Sequence, residues 1–451
     1  MENGNPDLIV MASEKSQIIK LVKLANKKGI SMIPKSSKID YYDGSKPEFG
    51  GILLDMSDMK EIIKIYTGSS RCVTIEPGVT FEELQKQLNK KGFKCMVPLG
   101  LPCQASVTSS YLERVPLLSG PMILLSEGSQ CIMDMEVVRG DGTTLHTGAG
   151  ETVPTRPGIS PNGPVGPDWT RTFTAAQGTM GIITEMTIKF KHIPDYQKIL
   201  LKPYNNLESL LTDMTKVKRI EVGKECLGIS NLNMASILAQ NKEQIINLRK
   251  TLPKWTLVLN LTGWENEEIQ ILEQDLDDLN IKFSTGAFKT MTGIQDIEKI
   301  FLDEFNLPNK MIKFRGYKDN CLVIPFYARK SRIIEFNKEI SKMVTKSGYA
   351  INDLYGYLMP IEQARIFYFE YTLYSSKKDI KNSNIIQNLF AEISEYIINQ
   401  GGIIDRPYGI WSEMIYSKMP RYLELLKEAK QILDPNNIFN PGKILQLEGK
   451  Q

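Results

Sequence analysis

The segment GGIIDRPYGIWSE, residues 401–413, concentrates reactive and amphipathic side chains in one short stretch. Two carboxylates, one guanidinium and two large rings lie within nine positions: Asp405, Arg406, Tyr408, Trp411 and Glu413. A solvated loop does not need Trp and Tyr, and an apolar core excludes Arg and Asp unless they are paired. Such a turn can hold an anion or move a proton, so the sequence predicts a site here.

Three loops rich in small and hydroxylated residues are candidates for binding a phosphate-bearing ligand. Small residues let backbone N–H groups approach an anion, and hydroxyl groups add further donors. None of the loops is a GxGxxG after a strand or a GxxxxGK[ST], so neither a Rossmann fold nor a P-loop is indicated. The residues in question are Ser36, Ser37 and Gly44; Ser106, Thr108, Ser109 and Ser110; and Gly178 and Gly181.

Cysteine and histidine are too few and too scattered to indicate a metal site. The six cysteines include no CxxC pair, which favours reduced, mostly buried thiols over a zinc or iron–sulfur framework. Only two histidines occur, His146 and His192, although histidine is the usual proton shuttle and metal ligand. We therefore expect no metal.

Composition limits the class of protein. A chain of 451 residues predicts two domains, or one domain with a large insert. Hydrophobic residues make up 42% and charged residues 24%, as in globular proteins with substantial cores. The net charge of +3 is too small to indicate a nucleic-acid partner. The start has no signal-peptide pattern and no apolar run could span a bilayer, so we expect a cytoplasmic location and no integral membrane segment.

The elements that must position these loops alternate between helix and strand up to about residue 190. Residues 13–29 predict a helix that is capped by Ser13 and closed by Gly29. Thr80 and Glu83 have the spacing of a capping box, which predicts a second helix start. The sequence GDG at 140–142 predicts a hairpin turn. Residues 151–170, rich in Pro and Gly, predict an excursion without a packed element.

From about residue 195, helices alternate with longer strands, which predicts an antiparallel sheet backed by helices. The strands expected are 255–264, 321–328 and 365–374. Alternation in the last of these places Ile366, Tyr368, Glu370 and Thr372 on one face. A final amphipathic helix is expected to bury one stripe and to end before Pro435; the stripe is Tyr422, Leu426, Ala429 and Leu433.

Four motifs, read in order, resemble the vanillyl-alcohol oxidase family with its PCMH-type FAD domain, which includes glycolate oxidase subunits, D-lactate dehydrogenases and 4-cresol dehydrogenases. The motifs are GVTFEELQKQLNKKG, GDGTTLHTG, AAQGTMGIITEMTIKF and ILDPNNIFNPGKI. The resemblance implies an α+β fold: a PCMH-type FAD-binding domain of two subdomains, plus an α+β cap domain with an antiparallel sheet. The implied boundaries are 1–194 for the FAD-binding domain, 195–414 for the cap, and 415–451 for a segment returning to the FAD domain.

The resemblance also implies FAD bound between the first domain and the cap. The loops at 34–44 and 106–111 would hold the pyrophosphate, with Pro77 and Gly78 beside the adenine. Gly178, Gly181 and Ile182 would meet the ribose and adenine, and Asn440 and Lys443 would lie near the flavin ring. Many relatives link FAD to a histidine. Because both histidines of this chain lie where structural roles are expected, the implied FAD is non-covalent.

The opening segment then becomes the implied catalytic turn. Tyr408 stands where glycolate oxidase relatives carry the histidine that takes the substrate proton, and Tyr368 stands where relatives often place a metal-binding histidine. Tyr408, beside Arg406, could act as the base or hold a substrate anion, with Asp405 and Glu370 as alternative bases. The structural alternative is that Arg406 pairs with Asp405 and Tyr408 packs beneath the cap.

The implied function is an FAD-dependent dehydrogenase of a small hydroxylated substrate, either a 2-hydroxy acid or a 4-alkylphenol. Hydride would pass to the flavin, and electrons would leave to a separate iron–sulfur or electron-transfer protein. A homodimer is one assembly consistent with this. The alternative is a flavin-binding electron-relay or pseudo-enzyme subunit of a larger redox complex, because the usual glycine pair in the second loop is here Thr108-Ser109.

Overall fold

A computed structural model describes residues 4–39, 43–118, 128–148, 166–307, 318, 320–376 and 378–443 of the chain. Most of the Pro- and Gly-rich excursion expected at 151–170 therefore lies outside the described residues. The described residues form an α+β fold with two groups of sheets, as the sequence predicts.

The first part of the chain contains one parallel and two antiparallel sheets. The parallel sheet has three strands in the order β1-β3-β2, the larger antiparallel sheet has five in the order β4-β5-β9-β7-β8, and the smaller one pairs β10 with β6. The elements are β1 (Leu8–Met11), α1 (Lys15–Lys28), β2 (Met32–Lys35), β3 (Ile52–Asp55), β4 (Ile62–Tyr66), β5 (Cys72–Ile75), α2 (Phe81–Asn89), β6 (Phe93–Lys94), α3 (Val107–Leu112), β7 (Ile132–Val138), β8 (Thr144–His146), α4 (Thr170–Phe173), β9 (Ile182–Lys189) and β10 (Lys191–His192).

The second part forms one six-stranded antiparallel sheet in the order β11-β13-β12-β15-β16-β14, which confirms the sheet expected from the sequence. Its elements and the C-terminal helices are β11 (Tyr196–Tyr204), α5 (Leu207–Arg219), β12 (Glu225–Ser230), α6 (Asn231–Leu238), α7 (Lys242–Thr251), β13 (Trp255–Gly263), α8 (Asn266–Asp278), α9 (Thr285–Thr292), α10 (Ile297–Asn306), β14 (Asn320–Ala328), α11 (Lys330–Ser347), β15 (Leu354–Ile361), β16 (Ile366–Ser375), α12 (Ile380–Asn399), α13 (Ile410–Tyr416) and α14 (Pro420–Leu433).

The two faces of this sheet belong to different cores, as the alternation along β16 predicts. Tyr368 and Tyr374 lie in a core that includes buried residues of the first domain, such as Phe173. Phe367 and Phe369, which point the other way, pack in a second core that contains residues of α11 and α12. One face of the sheet therefore looks toward the first domain, and the other is covered by helices.

Local sequence signals position the first-domain elements. Thr80 and Glu83 form the complete capping box that starts α2. Gly29 closes α1 in the left-handed conformation, with φ 65°. The cap of α1 was predicted wrongly, because its N-cap is Glu14 and Ser13 instead uses its backbone N–H to contact the Gln17 side chain.

The C-terminal segment returns to the first domain. The Met32 N–H donates to the Ile438 carbonyl over 2.7 Å, and the Asn440 N–H donates to the Met32 carbonyl over 2.8 Å, so this segment lies along β2. The stripe predicted on α14 is partly wrong. Tyr422 is 49% exposed, whereas Leu433 is buried.

Candidate active site

The small-residue loops meet along one cleft of about 1020 Å³ that is partly open to solvent. Nine of the residues predicted to hold a cofactor line it: Ser36, Ser37, Gly44, Pro77, Thr108, Ser109, Ser110, Gly178 and Gly181. Lys35 also lines the cleft and pairs with Asp55 over 3.8 Å. Loops that are far apart in sequence thus form one groove.

Two serines hold the loops together. The Ser37 hydroxyl accepts the Ser106 N–H over 3.1 Å, which joins the first loop to the second. The Ser106 hydroxyl donates to the Pro77 carbonyl over 2.6 Å and caps α3 by accepting the Ser109 N–H. Ser106 is buried and does not line the cleft, so it positions the loops.

A buried, unpartnered hydroxyl lies at the floor of the cleft. Thr108 is 1% exposed, and its Oγ1 has no hydrogen-bond partner in the part of the chain that the structure describes. A buried hydroxyl without a partner is unfavourable by about 1–3 kcal/mol, and a phosphate oxygen in the cleft would satisfy it. Gly178 has φ +67°, and a Cβ there would come within 2.3 Å of Pro34 Cγ. The residues present therefore fit an elongated phosphate-bearing cofactor such as FAD.

Four other residues predicted to bind cofactor do not line the cleft. Gly78 packs against the 56–59 turn, where a Cβ would lie 2.7 Å from the Met56 carbonyl oxygen. Ile182 is buried in the core beside α1. Lys443 pairs with Glu48 over 2.9 Å. The fourth, Asn440, is buried and supports the loops through its side chain.

Asn440 joins three segments at one end of the cleft. Its Nδ2 donates to the Gly44 carbonyl over 2.9 Å and to the Gln177 carbonyl over 2.7 Å. Asn440 therefore lies against the residue that precedes Gly178. The sequence placed Asn440 near the flavin ring and Gly178 near the adenine. These two placements are incompatible, because residues this close cannot lie at opposite ends of an extended dinucleotide.

Tyr408 meets the cleft through Glu113. The Tyr408 hydroxyl donates to Glu113 Oε2, and Glu113 lines the cleft. Tyr408 is positioned because Ile403 forms two backbone hydrogen bonds with Tyr327 on the edge strand β14, at 2.8 and 2.9 Å. The hydrogen bond between Tyr408 and Glu113 joins the cap to the first domain across 295 positions of sequence. No role for Glu113 was predicted from the sequence.

Arg406 contacts Asp405, as expected if its role is structural. It is fully buried, and its Nε lies 3.2 Å from Asp405 Oδ1. Trp411 turns away from the site: its Nε1 donates to Ser394 Oγ over 2.9 Å, within the helix-covered core. Glu413 is exposed on α13. The turn therefore contributes Tyr408 to the cleft, and the roles predicted for Tyr408 and Arg406 stay predictions.

Tyrosines cover the part of the cap sheet that shares a core with Tyr408. The Tyr368 hydroxyl donates to Glu370 Oε2 over 2.6 Å, and both residues are buried. The Tyr368 ring lies 5.3 Å from that of Tyr327 and 5.6 Å from that of Tyr357. Their catalytic roles stay predictions, but the fold does bring this face into the core that contains Tyr408.

Neither histidine lines the cleft. His146 contacts Asp134 Oδ2 over 2.9 Å, and His192 packs against the Phe93 ring at 4.6 Å. Among the described residues, no group of three or more acidic, Cys or His side chains could hold a metal ion. None of the described helices is long and apolar enough to cross a membrane.

We predict that Thr108→Val weakens FAD binding about fivefold, the effect of one hydrogen bond worth about 1 kcal/mol. The folded apoprotein should be no less stable, because the hydroxyl has no partner to lose. Fluorescence titration of apoprotein with FAD measures the dissociation constant. Thr256→Val is the matched control, since the Thr256 hydroxyl is also buried and unpartnered among the described residues but lies in β13. Equal affinities in both variants would contradict the prediction.

Two family models match separate parts of the chain. One is described as an FAD binding domain and matches residues 6–148. The other is described as FAD linked oxidases, C-terminal domain, and matches residues 370–444. The first contains the loops at 34–44 and 106–111, and the second contains Glu370, Arg406 and Tyr408.

Full-length relatives carry related names. Glycolate oxidase subunit GlcD of Bacillus subtilis (strain 168) is 23% identical over 99% of this chain and 90% of its own length. D-lactate dehydrogenase of Anaerostipes hadrus is 22% identical over 98% of this chain and 90% of its own length.

Solved structures with the same fold include two phenol-oxidising enzymes. The 4-ethylphenol oxidase from Gulosibacter chungangensis has a TM-score of 0.80 at 17% identity, over 97% of this chain and 88% of its own. A p-cresol methylhydroxylase with substrate bound has the same TM-score and identity, over 98% and 90%. At this identity the likeness establishes the fold alone.

Proposed function

Because this chain belongs to the vanillyl-alcohol oxidase superfamily of FAD-linked oxidoreductases, we propose that it is a dehydrogenase of a small hydroxylated compound. FAD, when bound, supplies the hydride acceptor. The observation that supports the proposal is the contact between Tyr408 and Glu113 where the cleft meets the cap, because it offers a proton acceptor in the lining of the cleft that fits FAD.

The chain's own part in the reaction is to hold the substrate hydroxyl and take its proton. An ionised carboxylate has about four acceptor sites, so one that accepts a hydrogen bond from a phenol can also accept one from a substrate hydroxyl. Glu113 is therefore the proposed base, and Tyr408 orients it and shares the proton. Tyr408 is buried, and Glu113 is half-buried where it lines the cleft.

The charges around Tyr408 favour a phenolic substrate. A 2-hydroxy acid needs a cation for its carboxylate, and Arg406 of this turn is fully buried with its Nε 3.2 Å from Asp405 Oδ1. The tyrosine-covered sheet face offers ring contacts for an aromatic substrate. We therefore propose a 4-alkylphenol or a similar hydroxylated aromatic compound.

A 2-hydroxy acid is the second candidate, because the full-length relatives are named for glycolate and D-lactate. The word subunit in the first of these names also supports the proposal that electrons leave to a separate protein.

Anaerobic mixing with substrate tests the function directly. Loss of the oxidised-flavin absorbance with 4-cresol supports the phenol proposal, and loss with D-lactate or glycolate supports the second candidate. A flavin that no such compound reduces would contradict both and would favour the electron-relay alternative.

We predict that FAD is released when the protein is denatured. Neither histidine lines the cleft, so neither offers a link to the flavin from within it. After precipitation with acid, the absorbance of FAD should remain in the supernatant. A yellow precipitate would contradict the prediction.

A further inference from the structure

The second domain contains a cavity of about 1350 Å³, open to solvent, that shares no lining residue with the FAD cleft. It lies at the far end of the cap sheet. Tyr196, which begins β11 just after the first domain, pairs with Gly263, whereas Trp255 at the cavity pairs with Tyr204. Eight residue steps along a strand span about 27 Å. The cavity is therefore remote from the junction of the two domains.

The cavity forms where two neighbouring strands separate. β12 and β15 are paired only at Gly228 with Leu358 and at Ile229 with Tyr357. The next residues along, Ser230 and Gly356, both line the cavity. Asn233 Nδ2 donates a hydrogen bond to the Gly356 carbonyl over 3.2 Å. A side chain therefore takes the place of a third backbone pairing between β12 and β15.

Ser230 has a buried hydroxyl that nothing in the described part of the chain satisfies. It is the N-cap of α6, where a serine normally accepts a backbone N–H, but its side chain makes no such bond. It is 5% exposed and its Oγ has no partner among the described residues, while the residue lines the cavity. An oxygen acceptor bound in the cavity would relieve this unfavourable burial.

The rim of the cavity has an excess of positive charge. Arg249, Lys250 and Lys254 all line it. Arg249 and Lys318 both pair with Asp353. Within the described ranges, neither Lys250 nor Lys254 has an ion-pair partner. Two uncompensated cations beside the N-terminus of α6 attract an anion.

We propose that this cavity binds a small aromatic molecule that carries a phosphate or carboxylate group. The anionic group meets the Ser230 hydroxyl and the two rim lysines. The ring of the ligand packs against Trp255 and Ile246, which supply apolar surface in the same cavity. The site is independent of the FAD cleft and of the reaction proposed there.

Isothermal titration of the FAD-loaded protein with phenyl phosphate and with benzoate tests the proposal, with phenol as the neutral probe. At least one anion should bind, and phenol should not. Ser230→Ala and the double variant Lys250→Ala/Lys254→Ala should each weaken binding at least tenfold, and high salt should weaken it further. Ser230→Ala removes only an unpartnered hydroxyl, so the fold should be retained.

Lys27→Ala/Lys28→Ala is the matched control, because it removes two exposed lysines from the end of α1 in the first domain and should leave binding unchanged. The proposal is overturned if neither anion binds, if phenol binds as tightly as the anions, or if the cavity variants bind as the original chain does. If the cavity variants bind as the original chain does, the measured heat of binding comes from the FAD cleft.

Discussion

Replacing Glu113 by Gln, or Tyr408 by Phe, is expected to slow flavin reduction by substrate by about 10²–10⁴-fold while FAD stays bound. Glutamine has nearly the same shape as glutamate but cannot take a proton at neutral pH. Phenylalanine keeps the ring of Tyr408 in its buried position but removes the hydroxyl that donates to Glu113. Anaerobic stopped-flow measurement of the flavin absorbance gives the rate directly.

The matched control is Tyr204→Phe. Tyr204 also donates its hydroxyl to a carboxylate, Asp213, over 2.8 Å, but this pair lies in the cap and does not line the cleft. This variant should reduce its flavin at the original rate. A Glu113→Gln rate close to the original, with FAD bound, would remove Glu113 from the reaction.

Lys430→Met is expected to reduce the free energy of unfolding by about 3–5 kcal/mol, the effect of removing one partner from a buried ion pair. Lys430 and Asp434 are both 1% exposed and contact each other. The Lys430 ammonium also donates to the Thr179 carbonyl over 2.6 Å and to the Phe439 carbonyl over 3.1 Å. Burial lowers the pKa of Lys430, and Asp434 opposes that shift by stabilising the charged form.

The loss of this lysine should also weaken FAD binding, because Thr179 follows Gly178 of the cleft and Phe439 precedes Asn440. Urea unfolding at fixed FAD concentration measures the stability. Lys427→Met, on a half-buried residue of the same helix, should change it little. A double-mutant cycle with Asp434→Asn should give a coupling of at least about 1 kcal/mol, and strictly additive effects would contradict the ion-pair account.

Features set by neighbouring residues could be predicted from the sequence. The capping box of Thr80 and Glu83, the hairpin at 140–142 and the alternation along β16 all depend on residues within a few positions of one another. The small-residue loops could be predicted for the same reason, because the residue types within each loop indicate that it can bind an anion.

Features that depend on distant contacts could not be predicted. Glu113 meets Tyr408 across 295 positions, and Lys430 meets Thr179 across 251. Nothing near either residue indicates its partner. On α14, Tyr422 and Leu423 lie about 100° apart on a helix, and both begin apolar stripes. The sequence could not decide which of the two faces the core, and the structure packs Leu423 against the core with Leu426 and Leu433 and exposes Tyr422.

The most direct test of the central claim is a crystal structure of the purified protein with FAD. We predict FAD extended along the cleft, with its pyrophosphate beside Ser36 and Thr108 and its isoalloxazine ring beside Glu113, next to Tyr408. A cleft without FAD in a crystal of flavin-loaded protein would contradict the account. So would an isoalloxazine ring out of contact with Glu113.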